Sequence, residues 1–310
     1  MNRPLVGALA TAVLGATALA GTAGTAQAAT APDAAARGAA RTAVAPQLQG
    51  VPAASVHAAT APKAKAKAVN FAGTVALSNC SGSIVRMPTS TDNDPALVMS
   101  NGHCLESGMP APGEVVVDQP SSRSFTVLSA SAGNLGTVRA TKVAYATMTD
   151  TDVSFYELSS TYAQIKQRYG IKALDIATTH PAKGAAITVV SGYWKKTYSC
   201  NIDGFVHQLK EGGYVMKDSV RYTPACKTIG GTSGSPVIDT ASGKVAAINN
   251  TGNENGGRCT MNNPCEVDEN GKVTVRKGIN YAQQIYTVPK CFGTGNKLDL
   301  GKAGCVLPKP

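Results

Sequence analysis

The chain has 310 residues, a length that allows one or two folded domains. Charged residues make up 15% of the sequence, below the roughly 25% of an average protein, which excludes a charge-rich disordered chain and a coiled coil. The formal charge of +10 would suit nucleic acid or a membrane surface as a partner, so its position along the chain matters.

The first 28 residues have the pattern of a secretory signal peptide. Arg3 precedes an apolar run over residues 5–20, and Ala26-Gln27-Ala28 is a small-residue cleavage pattern. The run is too short, and too rich in Ala, Gly and Thr, for the alternative of a membrane anchor. The sequence therefore predicts an exported protein that is cut after Ala28 and has no membrane partner afterwards.

Residues 29–68 form an alanine-rich segment that we expect to lie outside the folded protein. It contains 17 Ala in 40 positions and no aromatic residue, too little apolar surface to offset the entropy of ordering the chain. The segment is either a removable pro-segment or a flexible linker that stays attached. Because residues 1–68 carry +5 of the formal charge and no basic cluster larger than a pair follows, the charge does not predict nucleic acid as a partner.

From residue 70 onward the sequence predicts an all-β fold. Short β-branched runs alternate with turn residues at the spacing of a sandwich or barrel, residues 161–169 have a helical pattern, and residues 282–286 suit one helical turn. The predicted strands include residues 82–86, 96–100, 114–118, 124–128, 137–147, 152–158, 186–190, 214–216, 236–239 and 244–248. Strands without alternating helices favour antiparallel barrels, and we expect one over about 70–160 and a second over about 175–290.

All eight cysteines lie in the predicted folded part. They are Cys80, Cys104, Cys200, Cys226, Cys259, Cys265, Cys291 and Cys305. An even number in an exported chain predicts disulfide bonds, of which 105 pairings are possible. A zinc site is the alternative, but it needs closely spaced cysteine pairs or a nearby histidine. Cys259 and Cys265 are too far apart for such a pair, and no histidine follows position 207. We favour pairs of sequence neighbours, including Cys291 with Cys305 as a staple for a C-terminal extension over residues 291–310.

The strongest chemical motif is the segment 230–237, Gly-Gly-Thr-Ser-Gly-Ser-Pro-Val. A serine between glycines, followed by proline and a strand, suits a nucleophile on a tight loop, because glycine allows a substrate to approach the backbone closely. The N–H groups of Gly231 and Ser233 are then candidates for binding an oxyanion. An ordinary Gly/Ser turn is the alternative.

A nucleophilic serine needs a base, and the predicted folded part contains three histidines. His103 lies at the end of an apolar strand beside Cys104, whose disulfide bond would hold its backbone. His180 precedes a proline in a polar turn, and His207 lies on a predicted strand. We favour His103 as the base and expect the other two to be structural or solvated.

The base in turn needs an orienting carboxylate. Asp152 opens a strand with alternating apolar residues, a position from which its side chain can point into a cleft. Asp150, two residues earlier, is the alternative.

The order of these residues along the chain separates the known triad folds. No histidine follows Ser233, which excludes the α/β-hydrolase order. The subtilisin order needs an aspartate before His103, such as Asp92 or Asp94, but that fold alternates helices with parallel strands, which this sequence does not predict. The order His103, Asp152, Ser233 remains.

These segments resemble those of the chymotrypsin-like serine proteases. That family has a strand ending in His-Cys, an Asp that opens a strand and a Gly-x-Ser-Gly-x-Pro loop, which match His103-Cys104, Asp152 and residues 231–236. The resemblance covers about residues 71–289. It implies two antiparallel six-stranded β-barrels with the active site between them, and a Cys80–Cys104 bridge beside the base. The Ser-Gly-Ser-Pro form is similar to the bacterial glutamyl endopeptidases.

The resemblance also implies the activity of a secreted serine endopeptidase with a protease domain over residues 69–290. Ser233 would be the nucleophile, His103 the base and Asp152 its orienting carboxylate, with an oxyanion hole at Gly231 and Ser233. We expect a monomer that acts on polypeptide substrates with no cofactor and no metal. The alternatives are a non-catalytic protein that binds partners through the same cleft, and an esterase on the same scaffold.

Two features depart from the family's pattern. Animal-type members have Asp directly before the nucleophile, which pairs with a newly cut N-terminus, and this chain has Thr232 there. Trypsin-like members have an acidic residue six positions before the serine, where this chain has Lys227, a cation that would repel Lys and Arg side chains. Alternatively, Lys227 points to solvent and selects nothing.

The opposite wall of the specificity pocket is expected from residues 249–252. The glutamyl endopeptidases have a histidine on that wall, where this chain has Asn249. A pocket with Lys227 is compatible with a preference for acidic or small polar side chains. The substrate-binding residues that we expect are Lys227, Thr228, Asn249, Asn250 and Thr251.

Overall fold

The structure is a computed structural model that describes residues 68–310. The predicted signal peptide over residues 1–28, and the alanine-rich segment over 29–68 except for its last residue, lie outside the described residues. Within the described part, no helix is long and apolar enough to cross a membrane.

Strands dominate the described residues. In chain order they are β1 (Thr74–Ala76), β2 (Ser81–Arg86), β3 (Pro95–Ser100), β4 (Val115–Pro120), β5 (Ser124–Leu128), β6 (Asn134–Thr147), β7 (Val153–Thr161), β8 (Leu174–Asp175), β9 (Ala186–Ser191), β10 (Lys196–Glu211), β11 (Tyr214–Tyr222), β12 (Pro236–Asp239), β13 (Val245–Gly252), β14 (Cys265–Val267), β15 (Val273–Val275) and β16 (Asn280–Gln284). The α-helix α1 covers Tyr162–Tyr169, and short 3-10 turns cover Gly102–Cys104, Val288–Cys291 and Thr294–Asn296.

The first sheet closes on itself as a six-stranded antiparallel barrel. Its strands follow the order β1, β5, β6, β7, β3, β2 and return to β1. The alternating inward side chains, such as Val98, Phe125 and Tyr156, pack into one buried cluster inside the ring. Closure pairs every strand on both sides, which removes the unpaired edges of an open sheet.

The second sheet forms a similar ring. Its strands follow the order β11, β16, β13, β12, β9, β10 and return to β11, with every pair antiparallel. The strands β14 and β15 extend this sheet from β10. The all-β class with two six-stranded antiparallel barrels, which the resemblance implies, is therefore confirmed.

Two strands of the second ring, β10 and β16, differ from what the sequence pattern predicts. Only the stretch around His207 is predicted as strand within β10, because the buried positions of β10 include Gly204 and most of its outward positions are polar or charged, although burial alternates from Tyr198 to Val206. β16 occupies part of the segment expected as a helical turn. Its residues pair with both β11 and β13, so long-range hydrogen bonds that close the ring outweigh the local preference.

The helix α1 follows β7, where the sequence pattern predicts it. Thr161 accepts a hydrogen bond from the N–H of Gln164, whose side chain accepts one from the N–H of Thr161, forming a capping box. Gly170 ends the helix with φ of 70°, a conformation that glycine adopts without steric cost. This local signal explains why a single short helix is recognisable in a β-rich sequence.

All eight cysteines are paired in the structure. The pairs are Cys80–Cys104, Cys200–Cys226, Cys259–Cys265 and Cys291–Cys305. Each bond joins sequence neighbours, so each closes a short loop within one region of the fold.

A shared apolar cluster lies between the barrels, and the C-terminal residues are part of it. Phe155 of the first barrel packs edge-on against Phe292, with the ring centroids 5.3 Å apart. Ile248 of the second barrel and Leu307 belong to the same cluster. The segment beyond Cys291 therefore contributes to the core that holds the two barrels together.

Leu307→Ala should lower the free energy of unfolding by about 2–3 kcal/mol, because it removes a buried side chain and leaves a cavity. Leu307 is 6% exposed, whereas its neighbour Val306 is 66% exposed. The control Val306→Ala should change the free energy by less than about 0.5 kcal/mol in the same denaturant titration. Equal effects from the two substitutions would contradict the packing role of the C-terminal segment.

Candidate active site

The strand β3 and a disulfide bond place His103. β3 ends at Ser100, and the chain then turns through Gly102–Cys104 in a short 3-10 turn. Cys104 forms a disulfide bond with Cys80, which directly precedes β2. The turn is therefore attached to the barrel at its start by β3 and at its end by this bond. Gly102 lies against the backbone carbonyl of Thr147, where a Cβ atom would collide. The backbone of His103 is therefore held by covalent and steric constraints.

Asp152 lies directly before β7 and holds His103 at two points. Its Oδ2 is 2.6 Å from Nδ1 of the imidazole, and its Oδ1 accepts the backbone N–H of His103 at 3.1 Å. The carboxylate is 1% exposed, whereas the imidazole is 21% exposed. With Nδ1 bound to the carboxylate, the other ring nitrogen, Nε2, remains for contacts in the cleft.

The surroundings of His103 raise its pKa. Burial lowers the pKa, but the charge of Asp152 and its hydrogen bond raise it, with a further contribution from the charge of Glu211. The net result is a pKa above the usual value of 6.5. The aspartate thus makes the imidazole a stronger base than it would be alone.

The segment before β12 carries Ser233 on a tight loop. Gly231 and Gly234 have φ of 84° and 79°, so glycine is needed on both sides of Thr232 and Ser233. Ser81 of the first barrel donates its N–H to the carbonyl of Ser233 at 2.8 Å and its hydroxyl to that of Gly231 at 3.1 Å. The loop of one barrel is therefore positioned by a strand of the other.

Two N–H groups of this loop have no hydrogen-bond partner among residues 68–310. The amides of Gly231 and Ser233 donate to no acceptor in the described part of the chain. The hydroxyl of Ser233 donates to the carbonyl of Asn250 at 3.2 Å. The loop thus offers a hydroxyl together with two available backbone donors.

Asn101, which the sequence analysis did not single out, connects the three segments. Its side-chain amide donates to the carbonyl of Asp152 at 2.7 Å, and its side-chain oxygen accepts the N–H of Gly234 at 2.6 Å. The carbonyl of Asn101 accepts the hydroxyl of Ser154 at 2.8 Å. Because Asn101 is fully buried, these bonds form out of contact with water and hold the neighbours of His103, Asp152 and Ser233 together.

One cleft brings together most of the predicted site residues. The predicted residues His103, Asp152 and Ser233 line it, together with Thr232 and Gly230, whereas the predicted oxyanion-hole residue Gly231 is not among its lining residues. Three of the expected substrate-binding residues also line it, namely Thr228, Asn250 and Thr251.

The other two expected substrate-binding residues do not line this cleft. Lys227 is exposed on the surface. Asn249 is buried behind the nucleophile loop, where its side chain donates to Thr232 at 3.1 Å and accepts from Tyr222 at 3.2 Å. Lys227 therefore does not supply a cation to this cleft, and Asn249 supports the loop from behind.

The rival candidates lie apart from His103 and Ser233. Asp150 pairs with Lys217 on the surface, with 2.8 Å between Oδ2 and Nζ. His180 packs against Phe205 and lies 3.3 Å from the carboxylate of Asp218. His207 is exposed on β10 and does not line the cleft.

A family model matches residues 80–248, which is more than half of the chain, and its description is a trypsin-like peptidase domain. The match includes the cleft-lining residues His103, Asp152 and Ser233. A search of curated proteins finds no match.

Several solved structures are similar to this chain. The MamO protease domain from Magnetospirillum magneticum is 14% identical with a TM-score of 0.43, and the match covers 70% of this chain and 94% of that one. The active form of the Rv3671c protease from M. tuberculosis is 14% identical with a TM-score of 0.45, over 78% of this chain and 85% of that one. Cellulomonas bogoriensis chymotrypsin is 12% identical with a TM-score of 0.39, over 70% of this chain and 91% of that one. These structural similarities are weak, so the family assignment rests on the match of the family model to residues 80–248.

Proposed function

Because this chain belongs to the trypsin-like peptidase family, we propose that it is a secreted serine endopeptidase acting through an acyl-enzyme. One observation carries the proposal: a 2.6 Å hydrogen bond joins the imidazole of His103 to Asp152, in the cleft that Ser233 also lines. A hydroxyl, a base and an orienting carboxylate in one cleft are the groups that acyl transfer to serine requires. The substrates are polypeptides.

In the proposed mechanism, Ser233 attacks the scissile carbonyl while Nε2 of His103 takes its proton and later gives it to the leaving amine. To do so, the Ser233 hydroxyl exchanges its bond to the carbonyl of Asn250 for one to the imidazole. Asp152 keeps the proton on Nδ1 and stabilises the imidazolium. The unpartnered N–H groups of Gly231 and Ser233 bind the negative oxygen of the tetrahedral intermediate.

The activity should fall at acidic pH with a midpoint above 6.5, the usual pKa of histidine. The base must be neutral to accept a proton, and Asp152 raises its pKa, so protonation begins to inactivate the enzyme at a higher pH than for an isolated imidazole. The measurement is kcat/KM for a peptide substrate over about pH 5 to 9. A midpoint below that of free histidine would contradict the assignment of His103 as the base.

The four disulfide bonds support secretion, since such bonds persist outside the cytoplasm. In the proposed organisation, a signal peptide over residues 1–28 and a pro-segment or linker over 29–68 precede the protease domain over 69–290. Residues 291–310 form the disulfide-stapled extension. Sequencing the N-terminus of the protein recovered from culture medium would test both the export and the start of the mature chain.

The active serine is tested by a fluorophosphonate probe, which bonds covalently to a serine hydroxyl that a neighbouring base activates. The folded wild-type protein should be labelled, and the Ser233→Ala variant should not. A buried serine of the same loop, Ser235, provides a matched control, because its hydroxyl is bonded to the carbonyl of Thr232 and does not line the cleft. Labelling should therefore persist in Ser235→Ala.

The hydrolysed bond is identified by a second assay with casein and with a simple ester. Cleavage of casein at internal bonds supports the endopeptidase. Probe labelling with hydrolysis of the ester alone would indicate an esterase, and the absence of labelling in the folded wild type would indicate a protein that binds partners through the cleft.

A further inference from the structure

The cleft is acidic although the chain as a whole is basic. Asp152, Glu211 and Glu254 line it, and its lining within the described chain includes no Lys or Arg, whereas the formal charge of the chain is +10. Asp152 is occupied by its bonds to His103. Two carboxylates therefore line the cleft without a part in the proposed proton transfer.

Glu211 is the more unusual of these two carboxylates. It is the last residue of β10, and its side chain is only 7% exposed. Its Oε1 accepts the hydroxyl of Thr251 at 3.0 Å and the N–H of Asn262 at 2.7 Å. Its Oε2 has no hydrogen-bond partner in the described part of the chain. A largely buried carboxylate thus keeps one oxygen unpaired beside the cleft.

The unpaired Oε2 is not among the buried polar atoms without a partner in the described residues, so it is open to the cleft. A largely buried carboxylate is stabilised when a cation binds to such an oxygen. No Lys or Arg within the described residues forms an ion pair with Glu211. Burial raises the pKa of Glu211, while the bonds from Thr251 and Asn262 and the charge of His103 only partly counter this rise. A cation from outside the chain would complete the site.

The surroundings of Glu211 also fit the carbon chain that carries such a cation. Met216, Met261 and Tyr214 line the same cleft. Apolar groups beside a carboxylate suit the long methylene stem of lysine or arginine, whose charged end reaches the acid. Thioether side chains also adapt to stems of different length.

We propose that Glu211 selects the substrate by binding a cationic group of the peptide, an ammonium or a guanidinium, at its free Oε2. The site lies where β10, β13 and the segment at Met261 meet. It differs from the position six residues before Ser233, where this chain has the exposed Lys227. This inference rests on the proposed peptidase function and adds its substrate preference, in place of the acidic or small polar side chains that Lys227 suggests.

The test compares peptides that differ only in one side chain near the cleaved bond. Lysine is replaced by norleucine and arginine by citrulline, which keep the stem and remove the charge. In the wild type, the kcat/KM of the charged peptide should exceed that of its neutral counterpart about 10- to 100-fold, the range of a charge-assisted hydrogen bond. In Glu211→Gln, which retains an oxygen for Thr251 and Asn262, this ratio should fall close to one.

Two further arms identify the cation and its binding residue. Each peptide is used with a free and with an acetylated N-terminus. A ratio near one, with an equal fall in kcat/KM for both peptides on acetylation, would show that the α-ammonium is bound and would overturn the preference for a charged side chain. The matched control is Glu254→Gln, because Glu254 is an exposed carboxylate of the same cleft. The ratio should be retained in this variant, and an equal loss in both variants would overturn the assignment to Glu211.

A binding measurement separates this inference from the proposed function. In the Ser233→Ala background, the lysine peptide should bind more tightly than the norleucine peptide, and adding Glu211→Gln should abolish the difference. This result is expected even if the wild type fails to hydrolyse peptides, which would overturn the peptidase alone. Equal binding of the two peptides, or hydrolysis of both at equal rates by the wild type, would overturn the role of Glu211.

Discussion

Asp152→Asn should lower kcat about 10⁴-fold, the loss typical when the orienting carboxylate of such a triad becomes an amide. In the structure, Asp152 accepts hydrogen bonds with both oxygens, one from Nδ1 of His103 and one from its backbone N–H. An asparagine has one oxygen and one NH₂ group, so it can accept only one of these bonds. If the oxygen keeps the backbone N–H, the NH₂ group faces Nδ1 and forces the proton onto Nε2, where it blocks proton transfer from Ser233.

The same substitution should move the pH dependence. Burial lowers the pKa of His103, and the charge and hydrogen bond of Asp152 outweigh that effect. Without the charge, burial dominates, so the pKa of His103 falls and the acidic limb of kcat/KM shifts to lower pH. A lower rate combined with a lower midpoint distinguishes the loss of the orienting charge from partial unfolding, which would reduce the rate at every pH.

Asp150→Asn is the matched control, because this acid lies two residues away and is the alternative that the sequence leaves open. Asp150 is 43% exposed and paired with Lys217, so its substitution should change kcat by less than about threefold. Both variants are measured by steady-state hydrolysis of one peptide across the pH range. A large loss in Asp150→Asn with a small loss in Asp152→Asn would reverse the assignment.

Gly234→Ala should lower the free energy of unfolding by about 4 kcal/mol or more. The residue has φ of 79°, a left-handed conformation that costs alanine about 1 kcal/mol or more. Its Cβ atom would also collide with the backbone carbonyl of Ser81 and the hydroxyl of Ser100. Both atoms belong to the buried first barrel and cannot move independently, so the collision accounts for the larger part of the cost.

Gly230→Ala provides the control within the same loop. A Cβ atom on Gly230 meets no atom within 4 Å, and its φ lies outside the left-handed region. Its substitution should change the free energy of unfolding by less than about 0.5 kcal/mol. Chemical denaturation of the two variants checks the difference directly. Comparable stability of both would contradict the close approach of the nucleophile loop to the first barrel.

Local sequence patterns were sufficient for the fold class and for the residues that carry the proposed chemistry. Alternating β-branched runs predict most strands, because side chains on a strand alternate between the core and the opposite face. His103 with Cys104, Asp152 and the glycines around Ser233 each belong to a short motif that is recognisable without distant residues. The structure places these three side chains in one cleft.

The long strand β10 and the closing strand β16 have weak local sequence patterns. β16 takes its hydrogen bonds from β11 and β13, which lie far from it along the chain, whereas β10 forms hairpins with its sequence neighbours β9 and β11. Polar outward residues and glycine weaken the local pattern of such strands, while tertiary pairing stabilises them. The position of β10 matters for the proposed substrate preference, because this strand ends at Glu211.

Tertiary structure alone decided what surrounds the proposed chemistry. Asn101 bonds to Gly234, 133 positions later in the chain, and Glu211 bonds to Thr251, 40 positions later. Each is an ordinary polar residue in sequence, and its role comes from burial beside partners that only the packed barrels bring within reach. Lys227 shows the opposite case, since its position relative to Ser233 suggests a pocket, but the folded chain leaves it in solvent. Motifs determine which groups are present, whereas the charge and shape of the cleft depend on which distant side chains lose contact with water.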